Sequence, residues 1–518
     1  MLKQSKGIVR VLLCSAAVLC AGVLLAFFAV SLFSYSSVTL TGWYETIKIK
    51  PAPWYMVILA AVLLQVLMAA LRLLKKVKNR TLFMVLGLLY AVLGATLVLA
   101  ADDKLRADAL LVLTGAWDVN AGIYKNFEPG GYFFQYPHQL GTVTFERILT
   151  GLVPTIRVLY GANLLCILAT NALLWQMTDI LCGRESTASR AVILLSFLFA
   201  PSLFFILFLY GLVPGMCLTA AGFYCWIKTE QSEKPVLWWV GCIAAMTLAV
   251  LLRKNCLIAV VAVVILTLVR ILRDRQWKPL IALLALMVCV TQATPLLVKY
   301  YEHETGMTLG KGFPTSYWMA MGLQDNQREK FGRRGWFNGY DGVLIGKCDK
   351  DYEAMDEMAK KNIAKNLEYM ARYPDRAAAF FGYKLVTMWC DPLCESIVSG
   401  PQTECGQSLS NPVWQSIYDG KGAHGAILAF SHGLMALVFL FAGLGAVKFI
   451  ISKNGDVRPL IFGVYFLGGV LFHLVWEAKS QYAYPYMVLL LPLAAMGMAW
   501  VRDSIKGKHT KESNEENK

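Results

Sequence analysis

Charged residues are scarce in this chain. Asp and Glu number only 34 in 518 residues, and Asp, Glu, Lys and Arg together make up 16%, against about 25% in soluble globular domains. With 57% of residues hydrophobic and the deficit spread along the length, an ordinary soluble fold is excluded and a polytopic membrane protein is expected. No nucleic-acid motif accompanies the net charge of +15, so nucleic acid is not expected as a partner. The basic residues instead read as short-loop charges that orient membrane spans. No A-x-A-like site follows the apolar run Val11–Phe33, which is also too long for a signal h-region; it reads as a retained first span. No internal repeat is visible, which counts against a transporter built from inverted halves.

What is present is a succession of apolar runs, each near the ~20 residues that cross a bilayer. Twelve are predicted: 8–33, 54–74, 82–100, 157–181, 190–208, 211–227, 236–252, 255–271, 279–299, 425–450, 458–476 and 483–501. Pro201, Gly211, Pro214 and Gly215 predict a kink or a broken helix between the fifth and sixth. Every second loop is basic. Examples are Arg72–Arg80, Arg184 and Arg190, Arg270–Lys278, and Lys448–Arg458. By the positive-inside rule both termini are then cytoplasmic, and the alternate segments 34–53, 101–156, 209–210, 253–254, 300–424 and 477–482 face outward.

The expected fold is an all-α polytopic membrane protein of about 12 transmembrane helices, with interfacial helices and a mostly helical outer loop domain. Residues 1–299 form a bundle carrying the outer loop 101–156. Residues 300–424 form an outer domain, 425–501 return through the membrane, and 502–518 make a cytoplasmic tail, disordered from Lys506. Trp318, Trp336, Trp389 and Trp414 predict packing within 300–424. Helices are expected over Asp351–Tyr373, ending at Pro374, and over Ala377–Trp389, which is too short to span and suits an interfacial or re-entrant position. Of the 13 cysteines, nine lie in or beside apolar spans and read as small buried hydrophobes. Cys348, Cys390, Cys394 and Cys405 share the outer loop, where an oxidising compartment would allow one or two disulfides and an anaerobic host would leave the thiols reduced.

Residues with chemical potential gather at the outward segments. Asp102 and Asp103 end the third span. Adjacent carboxylates repel, which raises the pKa of one of them and suits it to act as a general base at a partly dry interface; the alternative is simple helix punctuation. Asp108 and Asp118 read as solvated or capping residues. Gly130–Gly131 permits a tight turn into Tyr132–Gln139, where Tyr132 and Tyr136 suit an interface or a sugar face. His138 stands alone, without the spacing of a zinc site. Arg253 and Lys254 are cations in an outward turn, where the orientation rule places few; they either snorkel to lipid phosphates or bind an anionic headgroup, and Arg157 is similar. The last outward turn holds Glu477, Lys479, Gln481 and Tyr482. Cations suit a phosphate, aromatics a sugar or isoprenoid, and a carboxylate a hydroxyl nucleophile.

These stretches resemble the C-type glycosyltransferase superfamily, most closely bacterial members of the branch similar to dolichyl-phosphate-mannose–protein mannosyltransferases (family 39). The resemblance rests on the Asp at the outer end of an early span followed by GGYFFQYPHQLG (130–141). It also rests on FPTSYWMAMGL (313–323) with Trp336-Phe337-Asn338, on Lys384 with MWCDP (388–392), and on LFHLVWEAKSQYAYPY (471–486). It implies a helical bundle, a catalytic Asp in the first large outer loop, a polyprenyl-phosphate sugar donor and inversion at the anomeric carbon. Asp103 or Asp102 would be the base. Arg253, Lys254 and Lys479 would hold the donor phosphate. Tyr132, Tyr136, His138, Gln139, Glu477 and Tyr482 would line the substrate site. The acceptor would be a glycan, lipid or protein of the cell envelope. Some superfamily members need a divalent metal and others do not, so the resemblance implies no particular cofactor. The chain departs from the pattern in placing two spans before the one that leads to the Asp loop, and in reading YGLVPG (210–215) where relatives often carry an acid. The competing expectation is a transporter or flippase for lipid-linked glycans, for which the spans carry few mid-membrane charges.

Overall fold

The computed structural model describes residues 2–42, 44–101, 104–326, 330–349, 351–400, 409–452 and 456–515. Asp102, Asp103 and Cys405 therefore lie outside the described residues. Each of the twelve apolar runs is helical. Among the described residues, nine helices are long and apolar enough to cross a membrane. The pair Thr187–Leu198 and Ala200–Leu207, bent by 48°, makes up to ten. Helices Leu212–Lys228 and Leu460–Val475 are apolar but shorter, so a count of twelve spans is not met by length. The break falls at Phe199–Pro201, as proline and its restricted predecessor require. Asn163 holds the bent segment by donating from Nδ2 to the carbonyls of Ile206 and Phe208 at 3.1 and 3.0 Å.

The bundle is organised around the span Ser480–Ile505, 83% of whose apolar window is buried. The spans Trp54–Lys76 and Lys278–Thr305 are each 17% buried and lie at the periphery. Leu73, Ile281 and Leu88 on the outer surface are largely exposed; aliphatic exposure on this scale needs an apolar solvent, which a bilayer provides. The chain is thus a multi-pass membrane protein. Its last helix is Tyr484–Glu515.

The segment 34–53 is not simply a loop. It forms a hairpin, β1 (Ser34–Thr41) and β2 (Tyr44–Pro51), with Thr41 paired to Tyr44 and Ser34 to Pro51. The alternating β-branched residues and the glycine at the tip explain it. The hairpin docks on the 300–424 segment through Ser36 N–H to the Cys390 carbonyl and Ile47 N–H to the Phe331 carbonyl, both 2.8 Å.

The 300–424 segment divides between two cores. Phe313, Tyr317, Met321, Tyr340, Leu344 and Met355 form a separate outer cluster, built on helices Thr315–Gly322 and Tyr352–Arg372. Helix Pro374–Trp389 and the turn after it belong instead to the bundle: Trp389 packs against Phe27, Phe466 and Tyr486. Trp336, Trp389 and Trp414 are all buried. Among the described residues Cys348, Cys390 and Cys394 are buried free thiols, with no disulfide among the three; Cys405 lies outside the described residues.

Candidate functional site

The outward segments meet at one end of the bundle, and close backbone approach is the reason. Helix Leu140–Leu152 crosses the end of helix Pro235–Leu252 so tightly that a Cβ on Gly141 would overlap the Leu251 carbonyl oxygen. Beside it, the Thr142 hydroxyl donates to the Leu252 carbonyl at 2.8 Å. Gly211, at φ +69°, lies against the same carbonyl: a Cβ there would be 2.6 Å from the Leu252 oxygen and 2.8 Å from the Thr142 hydroxyl. These contacts bring Gln139, Tyr210 and Arg253 together. Arg147 fixes the far end of the loop with paired bonds of 2.8 and 2.7 Å to Glu304.

The first half of the site is an aromatic–guanidinium cluster. Arg253 Nη1 donates to the Tyr210 carbonyl at 2.9 Å, and its guanidinium lies over the rings of Tyr210 and Tyr482 at 4.6 and 5.5 Å. Gln139 Nε2 donates to the Tyr210 hydroxyl at 2.6 Å. That hydroxyl donates to Asp108 Oδ2 at 3.2 Å and lies 3.4 Å from the hydroxyl of Tyr132. Tyr482 donates to Glu477 Oε1 at 2.8 Å. His138 lies between Tyr136 and Trp318, and Trp318 stacks on Trp476 at 5.7 Å. Burial, reinforced by the Lys254 and Arg253 charges, pushes His138 down to about 3, so at neutral pH it is an uncharged imidazole. Lys254 is exposed at the rim.

The second half is a buried ion network that the sequence does not announce. Lys479 Nζ donates to Glu45 Oε1 on β2 at 2.8 Å, and Arg106 reaches the same oxygen at 3.5 Å. Burial acts to raise the Glu45 carboxyl, but the charges of Lys479, Arg106 and Arg333 outweigh it and hold the group below its ordinary value. Glu395 and Asp391 sit beside it. The Ser480 hydroxyl bridges them, 2.6 Å from Asp391 and 3.3 Å from Glu395. Burial, with Glu45 nearby, pushes Glu395 up to about 8. Glu477 is pushed by burial up to about 7, against the pull of Lys479 and the Tyr482 hydrogen bond. Residues in the left-handed region flank the network: Ala107 at φ 49°, Cys394 at 49° and Glu395 at 61°. Such non-glycine strain costs about 1–2 kcal/mol per residue and persists only where the surroundings impose it.

Lys384 joins the outer domain to the last turn. Its ammonium donates to the carbonyls of Gly322, Trp476 and Leu474 at 2.6, 2.7 and 3.1 Å. The Ala478 N–H also donates to the Gly335 carbonyl at 2.9 Å.

Most of the residues expected from sequence come together here: Tyr132, Tyr136, His138, Gln139, Arg253, Lys254, Glu477, Lys479 and Tyr482. Lys479 differs from expectation in being paired with a carboxylate. Asp118 binds Asn126 and Arg157 lies exposed at a helix start, both away from the cluster. Asp102 and Asp103 lie outside the described residues, but Arg106, three positions on, is part of the ion network. Glu45, Arg106, Tyr210, Asp391 and Glu395 are not singled out from sequence. The one available signal is that Glu45 is the sole acid in the segment 34–53. Among the described residues no group of three or more His, Cys, Asp or Glu is placed to hold a metal ion. The chain matches no protein-family model, and no curated protein matches it.

Proposed function

We propose that the protein is an inverting membrane glycosyltransferase that moves a sugar from a polyprenyl-phosphate donor to an acceptor hydroxyl of a cell-envelope glycan, lipid or protein. Three sequence-remote segments support this reading by converging on one surface: 130–141, the Arg253–Lys254 turn and 476–482. That surface combines the Arg253 guanidinium, whose partners are a carbonyl and two ring faces rather than a carboxylate, the exposed Lys254, stacked aromatics and carboxylates. Arg253 and Lys254 hold the donor phosphate. Lys479, already paired with Glu45, adds positive field and positions Glu477. Tyr132, Tyr136, Trp318 and Trp476 offer ring faces to sugar and isoprenoid.

Asp103, with Asp102 as the other candidate, accepts the proton of the acceptor hydroxyl. The hydroxyl oxygen then bonds to the anomeric carbon from the face opposite the phosphate. The bond from that carbon to the phosphate oxygen breaks, and the polyprenyl phosphate leaves with the electron pair, stabilised by the two cations. The alternating basic loops support an extracytoplasmic site in a bacterial cytoplasmic membrane, with both termini cytoplasmic. The test is sugar transfer from polyprenyl-phosphate donors by purified variants. Asp103→Asn is expected to lower the rate by ~10²–10⁴ with an unchanged melting temperature. Full activity in both Asp103→Asn and Asp102→Asn would sink the assignment. Movement of donor across a vesicle membrane without transfer would support the flippase instead.

A further inference from the structure

At the opposite end of the bundle, four spans terminate around a basic pocket of about 310 Å³, the size of a small ligand site. Lys75 and Lys76 close helix Trp54–Leu73, Lys78 precedes helix Asn79–Ala100, Arg190 lies in the first turn of helix Thr187–Leu198, and Arg502 lies near the end of the span Ser480–Ile505. The pocket thus has five cations and a single carboxylate, Glu185. That carboxylate is occupied: it accepts the Asn79 backbone N–H at 2.9 and 3.2 Å and so caps the helix, leaving Arg190 only a 3.7 Å approach.

Two of the cations are desolvated without being fully paired. Arg190 and Arg502 are 3% and 7% exposed, and the Nε of each has no hydrogen-bond partner among the described residues. Their other bonds are to neutral groups: Arg190 to the Val77 carbonyl at 3.4 Å, Arg502 to the Thr187 hydroxyl at 2.6 Å. Two buried guanidinium groups that share one carboxylate, Glu185, at 3.7 Å from Arg190, and otherwise meet neutral groups leave net positive charge desolvated, which is costly unless a further anion joins them. Arginine forks match phosphate oxygens, and exposed lysines at the rim add attraction.

We propose that this pocket binds a phosphate group, and that at the depth of four span ends the phosphate belongs to an anionic bilayer lipid. The site is independent of the glycosyltransferase reading, since it lies at the other end of the molecule. Purified, delipidated full-length chain in neutral detergent is titrated with phosphatidylglycerol, phosphatidylcholine or inorganic phosphate, reading the melting temperature. Phosphatidylglycerol is expected to raise it and phosphatidylcholine not. The triple variant Lys75→Gln, Lys76→Gln, Lys78→Gln alters only exposed side chains and should fold. It is expected to need on the order of fivefold more phosphatidylglycerol for each lysine removed, whereas Lys125→Gln, an exposed lysine at the other end, is unchanged. Arg502→Gln is expected to lose the headgroup preference. Equal protection by both lipids, or undiminished preference in the triple variant and Arg502→Gln, overturns the proposal. Protection by inorganic phosphate with none by phosphatidylglycerol overturns the lipid source and assigns the pocket to a soluble phosphate.

Discussion

Glu477 is 5% exposed; one carboxyl oxygen takes the Tyr482 hydroxyl and the other has no partner among the described residues. Its folded value of about 7 lies above the ordinary 4.5, so the folded chain holds this proton more tightly than the unfolded chain. The resulting stabilisation is fully present below about pH 4.5 and is lost as pH rises through 7. Comparing Glu477→Gln with the parent by melting temperature across pH isolates this contribution: the parent is expected to lose stability relative to the variant from pH 4.5 to 7. Lys384 gives a second prediction at the same scale. Lys384→Met leaves three buried carbonyls without donors, each costing roughly 1–3 kcal/mol. A lowered melting temperature is expected, along with faster proteolysis of the outer domain. A melting temperature equal to the parent's would show that the three bonds carry little. Such partnerships are not legible in sequence: Lys384 is conspicuous only as a cation in an apolar helix, and its acceptors are backbone atoms from two distant segments.

Among the elements, the junction of helices Leu140–Leu152 and Pro235–Leu252 sets the site. Gly141→Ala places a methyl carbon where the Leu251 carbonyl already stands, so the helices must separate. Overpacking of this kind costs about 1–3 kcal/mol, and a displacement of ~1 Å at a reacting centre costs ~10²-fold in rate. If the proposed transferase reading holds, transfer is expected to fall far more than melting temperature, and parent-like transfer would remove the junction's importance. The apolar helices were legible from run length, and the break near Pro201 from proline and glycine. The hairpin's alternation, Val38, Leu40, Ile47 and Ile49 around Gly42, is present in a segment expected from sequence only to face outward, because it is too short and too polar to resemble a span. The division of 300–424 between two cores was not legible, because Trp336 and Trp389 signal burial without naming what buries them.

For the whole molecule, the charge alternation and the structure meet on one point. The basic loops gather at one end, where Arg270 and Arg458 share Glu230 and Arg190 and Arg502 line one pocket; the candidate site lies at the other. With the site end outward, a membrane-impermeant maleimide on intact cells should label Lys125→Cys and spare Lys75→Cys until the membrane is permeabilised. The reverse pattern would invert the topology. Length and apolar runs by themselves determined that this is a polytopic helical membrane protein, and the period of basic loops predicted which segments gather at one end of the bundle, because bilayer thickness and charge asymmetry act on each segment locally. Only the tertiary structure decided that Lys479 belongs to Glu45, 434 residues away, and that Arg253 is stacked between Tyr210 and Tyr482. Pairing of buried charges depends on which backbones come within a few ångströms, and no local pattern encodes that distance.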